Sequence, residues 1–460
     1  MAAIKDADVE DVMASTFPNP FRTPEMQALV ANLIRDDQEA GTFRVNRRAF
    51  VDETIFRLER EAIFNHCWLY LGHVSEVAKP TSFVTRTIAG KRLIFNRDRA
   101  GKLRAFFNTC SHRGAVLCRE KQGRRGSFAC PYHGWLYDDQ GALINIPGQE
   151  AYSHTVRNDE TLGLVEVPRL AEYCGFVFVN FDKDAVGLEE YLADAAELLE
   201  FFTAQGEKGM EICGGTQEYC TPANWKLMLE NSGDGYHAGP THMSYFDYIT
   251  ARDGDYLTNE GQKRNVETLV GVPSLNVGMR SLGNGHSVIE TEGVWGRPCA
   301  RWIPGWGEEA REEVAETARR IIARFGEERG RLITNIDRNT LIFPNFVVND
   351  LMAITVRTFY PVRPDYMEIN AWALAPIGES EASRSRRLQN FVEFFGPAGF
   401  ASPDDVEMLD LCQQGYANHE FIEWNDISKG MPRKQNAADD EAQMRNFWRK
   451  WHELMSRAVA

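Results

Sequence analysis

Cys110-Ser-His112 and Cys130-Pro-Tyr-His133-Gly-Trp135 decide how the rest of the chain is read. Each segment carries one thiol and one imidazole, close enough to share a single loop. Two thiolates and two imidazoles make a metal site the first reading. Tetrahedral zinc accepts two cysteines with two histidines. A [2Fe–2S] cluster in which two histidines replace two cysteines on one iron uses the same four residues. Zinc fingers pair Cys with Cys and His with His, whereas each loop here supplies one of each. That arrangement suits two loops clamping a cluster, each giving a sulfur to one iron and a nitrogen to the other. Gly114 and Gly134 permit tight loops whose backbone comes close to the inorganic sulfides. Tyr132 and Trp135 are placed to keep water away and so tune the potential.

The two segments resemble the Rieske motif, Cys-x-His followed by Cys-x-x-His, and Gly134-Trp135 continues the likeness. The resemblance implies a Rieske [2Fe–2S] cluster on Cys110, His112, Cys130 and His133.

A chain of 460 residues leaves room for two or three domains. Hydrophobic residues at 43% are enough to fill a large core. The formal charge of −15 argues against nucleic acid as a partner. Nine cysteines at irregular spacing do not read as a disulfide framework. Cys118 lies near the loops but fits no ligand spacing. The opening MAAIKDADVEDVMAS has neither a basic start nor an apolar stretch, so it does not read as a signal peptide. No apolar run is long enough to span a bilayer. A cytoplasmic protein without a membrane partner is expected.

Along the chain, residues 1–40 form an acidic, polar segment with a helix over 24–37, expected to pack on the catalytic domain. Residues 41–182 carry short β-rich runs at 82–88, 91–96, 103–108, 127–129, 134–138, 162–168 and 175–180, separated by Gly, Pro, Asn and Asp. This predicts an antiparallel β domain holding the metal loops. Residues 183–460 change pattern: helices near 192–202, 308–325, 383–395 and 404–415 alternate with strands at 341–348, 351–361 and 366–375. An α+β catalytic domain is the natural reading. Met444, Phe447, Trp448, Trp451 and Met455 recur at helical spacing and predict a helix docked on the chain's own core.

The second informative stretch is Asn224-Trp-Lys…Glu230-Asn-Ser-Gly-Asp234-Gly-Tyr-His237-Ala-Gly-Pro-Thr-His242. Five residues along a helix turn His242 away from His237. Gly239-Pro240 distorts such a helix, so both imidazoles can converge on one metal. Asp234 and His237 are neighbours on one turn. His286, in Gly283-Asn-Gly-His-Ser, reads as a structural or surface histidine.

This stretch resembles the iron segment of the Rieske non-haem iron ring-hydroxylating oxygenases, and almost the entire chain follows that pattern. The likeness to the large (α) subunit of an aromatic ring-hydroxylating dioxygenase implies a catalytic domain with an antiparallel sheet flanked by helices, of the helix-grip (START-like) kind. It implies mononuclear Fe(II) on His237, His242 and a carboxylate. That carboxylate is Asp405 in Gly396-Pro-Ala-Gly399-Phe-Ala-Ser-Pro-Asp404-Asp405, with Asp404 as the alternative. It implies that Asp234 links an iron-ligating His237 to His133 of the partner subunit. Electrons from NAD(P)H then arrive through a separate reductase or ferredoxin, and dioxygen is placed on an arene as a cis-dihydrodiol. It implies an α3β3 or α3 oligomer with a small β subunit. The metal ligands leave an aromatic monooxygenase or demethylase open. A stand-alone Rieske electron carrier needs only the first domain.

Overall fold

The computed structural model describes residues 20–259, 278–292 and 295–460. The start of the expected N-terminal segment, residues 1–19, lies outside them. The cluster-bearing region is antiparallel β, as expected. One sheet has the order 103–107, 91–97, 82–88, 122–124, and a second 143–145, 136–138, 127–129. A third joins Arg169–Tyr173, Phe176–Asn180 and Leu69–His73. The expected strand over 162–168 does not form. It holds a 3-10 turn, Glu160–Leu162, and one bridge between Phe106 and Glu166. Its backbone pairs with Leu103–Phe107 only at that bridge, where Phe107 N donates to Val165 O and Val167 N to Ala105 O, both at 2.9 Å.

A seven-stranded antiparallel sheet organises the second half. Its order is Met210–Thr221, Tyr366–Pro376, Ile354–Arg363, Phe346–Asp350, Asp337–Ile342, Ser287–Thr291, Met279–Ser281. The first strand therefore pairs with the last, and the strand that follows it in sequence sits at the opposite edge. The described part of the connection carries helices Trp225–Ser232 and Met243–Asn259. Met210–Thr221 is not foreseen from sequence, because Gly214-Gly215 interrupts its alternation at a register shift. The single strand expected at 341–348 is two strands, since Pro344 has no N–H for the ladder.

Helix Pro24–Ala31 starts on Thr23, whose Oγ1 accepts from Met26 N at 3.2 Å. It stops well before residue 37. Ile34–Asp37 pairs instead with Thr42–Asn46 across Gly41, and that strand pairs with Trp424–Asp426. Tertiary pairing has overridden local helix propensity here. The helix packs on the closing helix Ala442–Val459, where Gln27 Nε2 donates to the Val459 carbonyl at 2.9 Å. Met444, Phe447, Trp448, Trp451 and Met455 are all buried, so the closing aromatic stripe is core. Tyr70 stacks on Phe346 with ring centroids 4.5 Å apart, uniting the β region with the large sheet in one core.

Three elements meet at Glu59, which is fully buried. It accepts hydrogen bonds from Trp225 Nε1 (2.8 Å), Lys226 Nζ (2.6 Å) and Trp451 Nε1 (2.9 Å). Burial lowers the Lys226 pKa, and the Glu59 charge opposes that fall. Removing one member of a buried ion pair strands the other charge. Glu59→Gln should therefore destabilise the fold by about 3–5 kcal/mol. The check is the denaturant midpoint read by tryptophan fluorescence; an unshifted midpoint would contradict this hub.

Among the described residues, no helix is long and apolar enough to cross a membrane.

Candidate active site

The cluster loops are built alike. Gly114 N donates to Cys110 O at 2.8 Å and Gly134 N to Cys130 O at 3.0 Å. Each loop then closes back on its own cysteine, with Cys110 N on Ala115 O (2.9 Å) and Cys130 N on Trp135 O (2.7 Å). Gly114 and Gly134 have φ of 73° and 75°, where a Cβ is strained. Cys110 and Cys130 are buried, and the histidines lie toward the surface beside exposed Tyr132. Tyr137 OH is 3.2 Å from Cys110 Sγ and accepts from Ser111 N at 3.1 Å. Trp135 stacks on His112 at 4.8 Å with 7° between the planes.

Zinc and a two-iron cluster predict different spacings for these four residues. Tetrahedral zinc gathers all four ligand atoms round one centre, at separations of roughly 3.3–3.8 Å. His112 Nδ1 and His133 Nδ1 are 3.1 Å apart, as two ligands on one iron would be. Among the described residues, only His237, His242 and Asp405 form a group of three or more potential ligands whose atoms lie within 4.8 Å of one another. The loop cysteines thus stand apart from the histidine pair, and the donor set fits a cluster with sulfur on one iron and nitrogen on the other.

The second centre is built by the connecting helices. Asn224 caps Trp225–Ser232 by accepting from Lys226 N at 3.1 Å, and its amide anchors to the Phe50 and Pro364 carbonyls. The helix ends at Gly233, and Asp234 Oδ1 accepts from Tyr236 N at 2.6 Å to make the next turn. A four-residue helix, Ala238–Thr241, stops at His242, which leaves helical geometry (φ −102°, ψ 27°). That break brings the rings to 5.2 Å between centroids. Asp405 arrives on helix Ala401–Gly415. Its approach turn needs Gly399, where a Cβ would lie 2.6 Å from two backbone carbonyl oxygens.

Asp405 Oδ1 lies 3.4 Å from His237 Nε2 and 3.3 Å from His242 Nε2. The other ring nitrogens face outward to carboxylates: His237 Nδ1 is 3.3 Å from Asp234 Oδ2, and His242 Nδ1 is 3.6 Å from Asp404 Oδ2. Metal-ligating histidines show this pattern, with one nitrogen inward and the other oriented by an acceptor. Asp404 therefore sits outside the cluster and Asp405 inside it. Burial alone would raise the Asp405 pKa, but the two imidazoles outweigh it and hold the carboxyl well below its usual range. Burial would likewise lower His237, yet Asp234 and Asp405 raise it to about 10. Both shifts show that the cluster favours a cation at its centre, and this donor set fits a divalent metal.

Asn231 has no sequence signal of its own. Its Nδ2 donates to Asp405 Oδ1 at 2.9 Å and lies 3.3 Å from His237 Nε2. Asn231→Ala should weaken iron binding about 10- to 100-fold by freeing Asp405 to rotate. Iron retention during dialysis against a chelator measures this, and wild-type retention would remove Asn231 from the site. Beside the cluster lies an apolar wall. Phe394 is 6.1 Å from the His242 ring and 4.7 Å from Tyr245, and Tyr248 stacks on Phe400 at 4.8 Å. His286 is not part of this site. It is fully buried, donating from Nε2 to Tyr191 O (2.7 Å) and accepting at Nδ1 from Phe343 N (2.9 Å). Burial lowers its pKa to about 4, so it stays neutral.

Known proteins share this architecture. Residues 67–168 match the Rieske [2Fe-2S] domain family, and residues 210–457 match the ring hydroxylating alpha subunit (catalytic domain) family. A 2-halobenzoate 1,2-dioxygenase large subunit of Burkholderia cepacia is 34% identical over 434 residues, covering 94% of this chain and 88% of that one. A toluate 1,2-dioxygenase subunit alpha of Pseudomonas putida is 30% identical, covering 87% and 84%. A solved structure of naphthalene 1,2-dioxygenase with indole in its active site superposes with a TM-score of 0.75 at 25% identity, covering 90% and 92%. The fold, the two centres and these relatives together place the chain in the ring-hydroxylating alpha subunit family, as the Rieske and mononuclear-iron oxygenase subunit of an aromatic ring-hydroxylating dioxygenase.

Proposed function

We propose that His237, His242 and Asp405 hold the mononuclear iron, that Cys110, His112, Cys130 and His133 hold the cluster, and that the substrate is a small aromatic acid. The convergence of two Nε2 atoms on Asp405 Oδ1 carries the iron assignment. Iron held there would supply the dioxygen activation that dihydroxylation of an arene needs. The chain's own side chains do the positioning. Asp234 and Asp404 face the outward nitrogens, which leaves the Nε2 lone pairs pointing inward. Asn231 holds the Asp405 carboxylate. Phe394, Tyr245 and Phe400 offer an aromatic ring a wall that excludes water.

The rest of the system is our reading by family resemblance. Residues 41–182 and 183–460 act as cluster and catalytic domains, and residues 1–40 as a flanking segment. The oxygenase works in the cytoplasm, fed from NAD(P)H by a separate reductase or ferredoxin. It assembles as a ring of three such chains, with or without small β subunits. The aromatic-acid reading is supported by the halobenzoate and toluate relatives. The experiment is turnover of benzoate under 18O2 by the oxygenase reconstituted with a reductase and NADH. Two labelled atoms in the product support the reading. One labelled atom would make the chain a monooxygenase, and no oxygen uptake with any arene would overturn it.

A further inference from the structure

We infer that Arg357 is the group that grips the carboxylate of the aromatic substrate. This rests on the dioxygenase reading above and adds to it the residue that selects an acid over a hydrocarbon. Arg357 lies in the middle of the large sheet, between Val347 and Ala371 on the neighbouring strands, and is 5% exposed. A guanidinium keeps its charge at any working pH. Burying that charge is costly unless it is paired.

Among the described residues, three of the other four buried arginines are ion-paired, and the fourth is held by backbone carbonyls. Arg297 meets Asp337 and Asp350, Arg338 meets Glu290, and Arg387 meets Glu379. Arg445 donates to the Ile427 and Lys429 carbonyls. Arg357 differs from them. Among the described residues, its one side-chain hydrogen bond runs from Nη2 to Ser232 Oγ at 3.0 Å, and no carboxylate lies within ion-pair distance. Its Nε and Nη1 are not sealed in protein, unlike the partnerless Nε of Arg297 or Nη2 of Arg338. The chain has thus built a buried cation with free donors and no anion of its own.

Its neighbours place the guanidinium near the metal cluster. Ser232 follows Asn231, the residue bonded to Asp405. The guanidinium carbon lies 5.8 Å from the ring of Phe395, and adjacent Phe394 packs on His242. Both contacts of Arg357 are therefore one residue removed from side chains at the metal cluster. An arene seated on the phenylalanine wall can direct a carboxylate to this fork, which takes two oxygens side by side. A neutral hydrocarbon in the same place leaves the charge unpaired, so the site discriminates against it.

The test is binding of benzoate and of neutral benzamide to the purified oxygenase, measured by calorimetry, with the cluster's absorption as the check on folding. Wild type should prefer benzoate. Arg357→Gln should lower the benzoate-to-benzamide affinity ratio about 10- to 100-fold, and Arg357→Lys, which keeps the charge but loses the fork, should recover part of it. Equal losses for both ligands would mean a purely structural arginine and overturn the inference. So would a ratio unchanged in Arg357→Gln, or wild type that binds benzamide as well as benzoate. A wild-type enzyme that dihydroxylates neutral arenes but binds no benzoate overturns the role of Arg357 and leaves the dioxygenase standing. A chain that takes up no oxygen with any arene defeats the underlying reading instead.

Discussion

Replacing Asp405 with Ala is expected to lower the iron content from about three to about two per chain and leave the cluster's visible absorption unchanged. The two centres share no ligand, and the cluster loops close on their own backbone, so the loss should stay local. Oxygen uptake coupled to arene oxidation should fall at least about 1,000-fold, because a Lewis-acid centre supplies several kcal/mol to its reaction. Asp404→Ala is the informative comparison. Asp404 stands 3.6 Å from the outward nitrogen of His242. Its loss should weaken the iron site only about 10- to 100-fold, as loss of an orienting acceptor does. Iron analysis and turnover decide between the two carboxylates. If Asp404→Ala emptied the site and Asp405→Ala kept its iron, the assignment would be reversed.

Asp234→Ala should leave both centres loaded and still cut turnover by about 100-fold or more. Within the chain, Asp234 faces His237 Nδ1 and is only partly buried. We propose that its free side meets His133 of the partner subunit, the role that the family resemblance implies. A carboxylate between two imidazoles fixes both tautomers and shortens the electron's path. Three measurements separate this role from a structural one. The cluster spectrum and iron content should match wild type. The cluster should still be reduced by the reductase at its normal rate. Oxidation of that reduced cluster by dioxygen and substrate should become slow. Lost cluster absorbance, or turnover within a few-fold of wild type, would contradict the assignment. A chain held monomeric should behave like Asp234→Ala.

Legibility from sequence follows the distance over which a feature is built. The four cluster residues lie on two short loops, so spacing alone exposes them. His237 and His242 are also local, and Gly239-Pro240 announces the break that lets them converge. Asp405 joins them only after the sheet is complete, so no spacing points to it and family resemblance must. Asn231, Ser232 and Arg357 carry no motif, because their meaning comes from which strand faces which helix. Glu59 is equally silent, since its partners Trp225, Lys226 and Trp451 come from two distant helices. The mistaken strand at 162–168 and the overlong first helix share one cause. In both, local sequence points to an element whose extent long-range pairing decides.

The order of the seven strands bears on how the enzyme is loaded during its synthesis. The cluster loops are complete once the β region has emerged, because their closing contacts are local. His237 and His242 emerge next, but Asp405 follows the sheet's six remaining strands. Closing so long a loop carries an entropic cost that only finished packing repays. A growing chain therefore offers a cluster site early and an iron site last. The oxidising centre comes into being only after the protein that must contain it has folded.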